Sequence, residues 1–140
     1  MKILLNKIIP PSGFIALTAW PFIFCRNALK DVDVNHELIH GEQQKEMLVV
    51  GIVITIAMYS CGCVWWLSAL AIPIYFWLYG TEWLIRLILY RNKKEAYRNI
   101  SLEQEAYVNQ SDFGYIPSKR RRFSWIKYVR TKTYTQQLKK

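Results

Sequence analysis

The chain contains two histidines, His36 and His40, which lie four positions apart. Side chains four apart share one face of a helix, so both imidazoles can reach a single metal ion. Glu37 directly follows the first histidine, and its carboxylate can accept a proton from a water molecule on the metal. Because zinc lowers the pKa of such a water to about 7, this spacing predicts a zinc site that activates water. The competing interpretation is two surface histidines on an amphipathic helix.

A catalytic zinc site needs a third protein ligand and one open position. The chain has no other histidine, and the surroundings and spacing of its three cysteines indicate packing residues. The third ligand is therefore expected to be a carboxylate, and residues 101–107 are the best place to find it. Glu103 and Glu105 lie two positions apart there and face different directions on a helix, so only one of them can bind the metal.

Two helices are expected to position these residues. Asp31 and Asp33 precede the histidines and suit the first turn of a helix, where acidic side chains interact favourably with the helix dipole. This first helix is expected to continue through the histidines into an apolar region. A later helix over about 93–109 is expected to break near Ser101, which can cap a renewed helix that carries the two glutamates.

The N-terminal residues 2–26 indicate extended structure. They are rich in aliphatic and aromatic residues, and the prolines near position 10 form a strong turn signal. Pro21 lies within the second apolar stretch and restricts it to an edge strand or a bent strand. A short N-terminal β-hairpin is therefore predicted, with a shallow membrane-dipping segment as the alternative.

Residues 47–80 contain no charged side chain, a run longer than the roughly 20 apolar residues that cross a bilayer. The run divides near residues 60–63 and continues past Glu82 and Arg86, which lie four apart and can pair on one helical face. A hydrophobic membrane hairpin over about 47–90 is expected, and a single crossing is the alternative. The predicted fold is mainly α: a metal-binding helix running into this hairpin, a second metal helix after it, and the short β-hairpin.

The formal net charge is +9, and the basic excess lies in residues 111–140, where Asp112 is the only acidic residue. We therefore divide the chain into one membrane-associated domain, residues 1–110, and a basic C-terminal tail, residues 111–140. Beside a membrane segment, such a tail indicates contact with membrane lipids, and no nucleic-acid partner is expected because no nucleic-acid motif accompanies it. The same asymmetry predicts a protein integral to, or tightly associated with, the inner membrane, with site and tail facing the cytoplasm.

The two histidines with their intervening glutamate, followed by a later glutamate, resemble the signature of the gluzincin metallopeptidases. The order of parts is most similar to the integral-membrane gluzincins of the heat-shock and prenyl-protein protease type. Those proteins place hydrophobic segments between HExxH and a Glu-x-x-Ala-Asp motif, which residues 103–106 match. The resemblance implies that Glu103 is the third ligand, with Glu105 as the alternative. The family's aspartate falls on Tyr107, a departure that removes the charge of a residue supporting a metal-binding histidine.

The resemblance implies a membrane-bound zinc metallopeptidase that hydrolyses a peptide or protein substrate lying along an edge strand. The residues it implies are the ligands His36, His40 and Glu103, the base Glu37, and an oxyanion stabiliser, Tyr107, with Tyr97 and Arg98 as other possibilities. The alternative is a non-catalytic zinc-binding membrane protein whose basic tail binds lipid or a partner. A structural zinc site prefers four protein ligands and needs no base beside the ion, so Glu37 favours the enzyme.

Overall fold

The computed structural model describes residues 1–6, 8–10 and 13–130. The chain is mainly helical, with a small sheet at its N-terminal end. The strands are β1 (Lys2–Leu5), β2 (Ala16–Ala19) and β3 (Phe22–Cys25). The helices are α1 (Asp31–Ser60), α2 (Trp65–Ala69), α3 (Ile74–Tyr90), α4 (Lys93–Arg98) and α5 (Ser101–Asn109).

The sheet has three strands in the order β1-β3-β2. β2 and β3 pair antiparallel, and β1 joins the other edge of β3 in parallel. The prediction of a short N-terminal β-hairpin was therefore wrong, because the first apolar stretch pairs with β3 as a third strand. Parallel pairing needs a connection that returns the chain to the same end of the sheet, and no local turn signal reveals that connection. Ile23 and Cys25 of the central strand are buried, and β2 is left at the edge beside α1.

Helix α1 begins at Asp31, within the acidic segment that precedes the histidines. The Asp33 carboxylate accepts a hydrogen bond from the Lys30 N–H at 3.4 Å, and both aspartates lie in the first turn. The N-terminal half of α1 is buried although it is polar, whereas the C-terminal half exposes much of its apolar surface. Polar burial of this kind indicates a site rather than a simple packing interface.

Within the described residues, no helix combines the length and the apolar character that a membrane span requires. The predicted membrane hairpin over 47–90 and the predicted inner-membrane localisation were therefore wrong. The uncharged run is divided among three helices, of which α2 has only 5 residues. Helix α3 has 17 residues and carries Glu82 and Arg86 in its second half.

Two buried clusters fasten α5 to the rest of the molecule. Met47, Tyr75, Ile100 and Leu102 form the larger one, between α1, α3 and the start of α5. Ile39 of α1, Ala106 of α5 and Tyr115 form the other. Helix α5, the predicted second metal helix, is thereby packed against α1.

The C-terminal segment folds back onto these helices. A π-helical turn over Tyr115–Lys119 and a 3-10 turn over Ser124–Tyr128 follow α5. The Arg120 side chain is only 5% exposed, so this arginine of the predicted basic tail is directed into the protein. The last part of the predicted tail, residues 131–140, lies outside the described residues.

Candidate metal centre

Three side chains from two helices converge at the bottom of a cleft. His36 and His40 come from α1 and Glu103 from α5, and one ligand atom from each lies within 4.8 Å of the others. The two Nε2 atoms are 3.1 Å apart, and each is 3.4 Å from a Glu103 carboxylate oxygen. Ligands about 2.0–2.1 Å from a tetrahedral zinc ion lie about 3.3 Å from one another. Each nitrogen faces a different oxygen of the carboxylate, so the three side chains converge closely enough to share one ion, and the spacing of the two imidazole nitrogens is near that of zinc ligands.

The hydrogen bonds behind His40 determine which of its nitrogens faces the cluster. His40 Nδ1 lies 2.9 Å from Gln43 Oε1. Gln43 Nε2 donates to the Leu102 carbonyl at 3.0 Å and to Glu105 Oε2 at 2.9 Å. Because both of those partners are acceptors, the amide oxygen of Gln43 must be the atom beside His40. His40 therefore donates from Nδ1, and its Nε2 can direct a lone pair at a metal ion.

His36 has a matching arrangement. Its Nδ1 lies 3.1 Å from Gln110 Oε1, at the end of α5. The ring of Tyr107 packs edge-on against the imidazole, with the ring centroids 4.7 Å apart. Glutamine oxygens thus support both histidines, where the resembling family uses an aspartate. Tyr107, at the position of that aspartate, contributes a ring contact to His36.

The buried Glu103 carboxylate and the two imidazoles form an environment that favours a cation. Glu103 Oε2 is buried without a hydrogen-bond partner among the described residues, and it faces the Nε2 atom of His36. Burial alone lowers the pKa of His40, but the Glu103 carboxylate, with smaller contributions from Glu37 and Gln43, outweighs burial and raises this pKa to about 9. Burial likewise disfavours the Glu103 anion, yet the two histidines hold its pKa well below the usual range. Two imidazoles and a carboxylate are a donor set that can hold a zinc ion.

Glu37 lies beside this cluster and is held from the sheet. Its Oε2 accepts a hydrogen bond of 2.7 Å from the Thr18 hydroxyl on β2, and Thr18 is buried. Sequence reasoning missed Thr18, since only the tertiary contact between β2 and α1 brings it to the site. The Glu37 carboxylate is thus oriented by a residue that no motif spacing includes.

Tyrosines from α3 and α4 surround Glu103. The Tyr79 hydroxyl donates to Glu103 Oε1 at 2.8 Å. Burial, followed by the Glu103 charge, raises the pKa of Tyr79 and that of Tyr97, so both hydroxyls remain protonated donors. Tyr79 was also missed by the sequence analysis, because it lies in the run interpreted as membrane helix.

Both ends of α5 are held by side chains of other helices. The Glu82 carboxylate of α3 accepts the Ser101 N–H at 2.9 Å and the Ser101 hydroxyl at 2.6 Å. Arg86 pairs with Glu82 at 2.7 Å, which confirms the predicted i,i+4 pair. At the other end, Asn35 of α1 donates to the Gln110 carbonyl at 2.8 Å. Glu103, in the first turn of α5, is thereby located relative to the histidines.

Glu105 points away from the histidines. Its Oε1 accepts hydrogen bonds from the Tyr115 hydroxyl and from Arg120 Nε, each at 2.9 Å. Arg120 also forms an ion pair of 2.6 Å with Glu46. Of the two glutamates that the sequence left open, the structure therefore brings Glu103 to the histidines and places Glu105 behind them.

The cluster opens into a cleft of about 830 Å³ between β2 on one side and α3 and α4 on the other. Tyr97, Arg98 and Tyr107, the residues considered for an oxyanion site, all line it. Among the described residues, the candidate metal-binding group has three members, so an ion held there would keep a fourth position for another ligand. Three protein ligands and an open position are the pattern of catalytic zinc sites.

Comparison of this chain with protein families, curated proteins and solved structures found no match. A function for the chain therefore has to be argued from the geometry of its own residues.

Proposed function

We propose that this chain is a zinc-dependent metallopeptidase of the gluzincin type. His36, His40 and Glu103 hold the ion, and Glu37 is the general base. The observation that carries the proposal is the convergence of two imidazole nitrogens, 3.1 Å apart, on a buried carboxylate whose Oε2 has no hydrogen-bond partner among the described residues. Glu37 and an open cleft lie directly beside this group, as hydrolysis requires.

The residues of the chain have distinct parts in this reaction. When bound, zinc polarises a substrate carbonyl and lowers the pKa of a coordinated water to about 7. Glu37 accepts the proton of the attacking water and passes it to the leaving amine, while Thr18 holds the carboxylate in position. Tyr107 lies on the cleft wall beside His36, where its hydroxyl is the proposed donor to the developing oxyanion.

The substrate is an extended peptide that pairs with the edge of β2. Gln44 bonds the Thr18 carbonyl at 2.8 Å and the Trp20 N–H at 2.7 Å. In an antiparallel strand, alternate residues direct both backbone groups away from the partner strand. Ala16 and the N–H of Thr18 then remain for a substrate. The peptide accordingly pairs with the N-terminal part of β2, beside Glu37.

Elemental analysis combined with hydrolysis tests the proposal. We expect one zinc ion per chain in the wild type and in Glu37→Gln, and none in Glu103→Ala, which lacks a ligand. Wild-type protein should cleave a mixture of quenched fluorescent peptides, and Glu37→Gln should not. No zinc in the reconstituted wild type, or full hydrolysis by Glu37→Gln, would contradict the mechanism. Zinc binding without hydrolysis by the wild type would favour a non-catalytic zinc protein instead.

A further inference from the structure

A buried polar cluster lies behind His40, on the side away from the cleft. Gln43 and Glu105 are fully buried, and the Arg120 side chain is nearly so. Hydrogen bonds connect them in series from the imidazole: His40 to Gln43, Gln43 to Glu105, and Glu105 to Arg120 and Tyr115. Burying an acidic side chain completely is unfavourable unless it is paired, and Glu105 is paired with Arg120. The proposed hydrolysis makes no direct use of Glu105.

Each bond of this series has a defined direction. Arg120 Nε can only donate, so Glu105 Oε1 must be an acceptor. The other oxygen, Oε2, accepts from the Gln43 amide nitrogen at 2.9 Å. That bond, together with the bond from the same nitrogen to the Leu102 carbonyl, turns the Gln43 amide oxygen toward His40 Nδ1. The direction of donation is therefore passed unchanged from Arg120 to the imidazole.

We infer that Glu105 is a positioning residue for the metal centre, which sets the His40 tautomer through Gln43 and is itself oriented by Arg120. With Nδ1 protonated, His40 presents its Nε2 lone pair to the metal. The C-terminal segment that carries Arg120 thus belongs to the support of the site. The inference rests on the proposed zinc ligands but not on peptide hydrolysis.

Replacing Glu105 by glutamine exposes this dependence, because the two residues have nearly the same shape. Arg120 still requires an oxygen at the Oε1 position, so the new NH₂ group faces the NH₂ group of Gln43. Gln43 then has no amide orientation that suits every neighbour, because its NH₂ group faces the new NH₂ group when unturned and its oxygen faces the Leu102 carbonyl when turned. The acceptor at His40 Nδ1 is therefore held less firmly, and in the turned orientation the imidazole carries its proton on Nε2, the atom that has to bind the metal.

Zinc affinity measured by chelator competition tests the inference. We expect Glu105→Gln to bind zinc about 10–100-fold more weakly than the wild type, the usual effect of losing support for a metal ligand. Asp112→Asn is the matched control, since it is also an acid-to-amide change in an ion pair, with Lys119 on the surface. The control should retain wild-type affinity, and wild-type affinity in folded Glu105→Gln would overturn the inference.

A double-mutant cycle separates positioning from a general structural effect. Gln43→Met removes the nearer acceptor of His40 Nδ1, leaves the Tyr75 hydroxyl at 3.3 Å, and should weaken zinc binding by itself. In that background, Glu105→Gln should cause no further loss, because its effect passes through Gln43. Losses that multiply in the double variant would show that Glu105 acts by another route and would overturn the inference.

The His40 tautomer can be read directly from long-range ¹H–¹⁵N spectra of the imidazole in zinc-free protein. In the neutral imidazole at alkaline pH, the wild type should carry its proton on Nδ1, which faces Gln43 Oε1. A proton on Nε2 in the wild type would overturn the inference whether or not any variant folds. This measurement requires neither zinc nor hydrolysis, so it distinguishes failure here from failure of the proposed function.

Discussion

At the scale of single residues, the two oxygens of Glu37 have different surroundings. Oε2 is bonded to the Thr18 hydroxyl, whereas Oε1 has no hydrogen-bond partner among the described residues. A base held by one oxygen keeps the other in a constant position for a water molecule. Thr18 on β2 thereby positions the Glu37 carboxylate on α1.

Thr18→Val should reduce peptide hydrolysis and leave zinc bound. Valine has nearly the same shape but lacks the hydroxyl, and a hydrogen bond to a charged group is worth about 1.5–3 kcal/mol. We therefore expect kcat/KM to fall about 10–100-fold, with one zinc per chain by elemental analysis. Thr55→Val is the control, since the Thr55 hydroxyl bonds only backbone carbonyls of Gly51 and Ser68. Unchanged kcat/KM in Thr18→Val would remove Thr18 from the mechanism.

Zinc affinity should depend on pH in a way that reports the His40–Glu103 contact. Because the His40 pKa is raised from 6.5 to about 9, zinc has to displace a proton at neutral pH. Affinity should rise about tenfold per pH unit from pH 7 and level off near pH 9. In zinc-free protein, the same contact stabilises the fold below about pH 6.5 and loses this effect as the pH rises through about 9. Chelator competition between pH 6 and 10 measures the profile, and levelling near 6.5 would contradict it.

The sequence identifies some of these residues and not others. His36, Glu37 and His40 can be predicted because one helical turn brings them together whatever the rest of the fold is. The choice of Glu103 over Glu105 depends on which side of α5 faces α1. Local spacing cannot supply that orientation, and for the same reason it cannot reveal Thr18.

At the scale of elements, the metal centre depends on how α5 meets α1. Glu82 supplies an acceptor to the otherwise unpaired N-terminal N–H of Ser101, and Asn35 supplies a donor to the carbonyls beyond the other end. Arg86 neutralises Glu82, so the cap is a charged pair rather than a single side chain. A helix of 9 residues gains its position from such contacts more than from its own propensity.

Glu82→Ala should destabilise the protein substantially more than an ordinary surface change. The substitution removes both bonds to Ser101 and leaves the mostly buried Arg86 without its partner. We expect the free energy of unfolding, measured with denaturant on the zinc-free form, to fall by more than about 2 kcal/mol. Glu42→Ala is the control, because it loses a more exposed pair with Lys45 and should change stability by about 0–1 kcal/mol. Equal losses in the two variants would contradict the capping role.

The helical elements could be anticipated from composition, but their environment could not. An uncharged run has the same appearance whether it is one long span or several short helices. Here the breaks after Ser60 and before Ile74 divide it, and the Glu82–Arg86 pair follows in the last piece. β1 is also invisible as a member of the sheet, because its partner β3 lies beyond β2 in the chain.

At the scale of the whole molecule, α1 packs closely against the connection between α2 and α3. A Cβ atom at Gly51 would lie 2.5 Å from the Ala71 carbonyl oxygen, a backbone atom that cannot turn aside. The Thr55 hydroxyl, one turn later, bonds the Ser68 carbonyl of α2 at 3.0 Å. The absence of a side chain at Gly51 therefore allows α1 to approach the α2–α3 connection this closely.

Gly51→Ala should destabilise the protein, although alanine is the better helix former. Displacing the α2–α3 connection is expected to lower the free energy of unfolding by about 1–3 kcal/mol. Gly80→Ala provides the matched comparison, since an added Cβ in α3 meets no atom of the described residues within 4 Å. That change should be stabilising by about 0.5–1 kcal/mol. Denaturant unfolding measures both, and a stabilising Gly51→Ala would contradict the close packing.

The Gln44 amide also has a consequence for the behaviour of many copies of this protein in solution. Exposed strand edges recruit strands from other molecules and begin aggregation. By bonding Thr18 and Trp20, Gln44 occupies the C-terminal part of the β2 edge much as a neighbouring strand would. The remaining edge is shorter than the six or seven residues that typically assemble into fibrils. The same glutamine that leaves room for a short peptide thus shields this edge of the sheet from a strand of another copy.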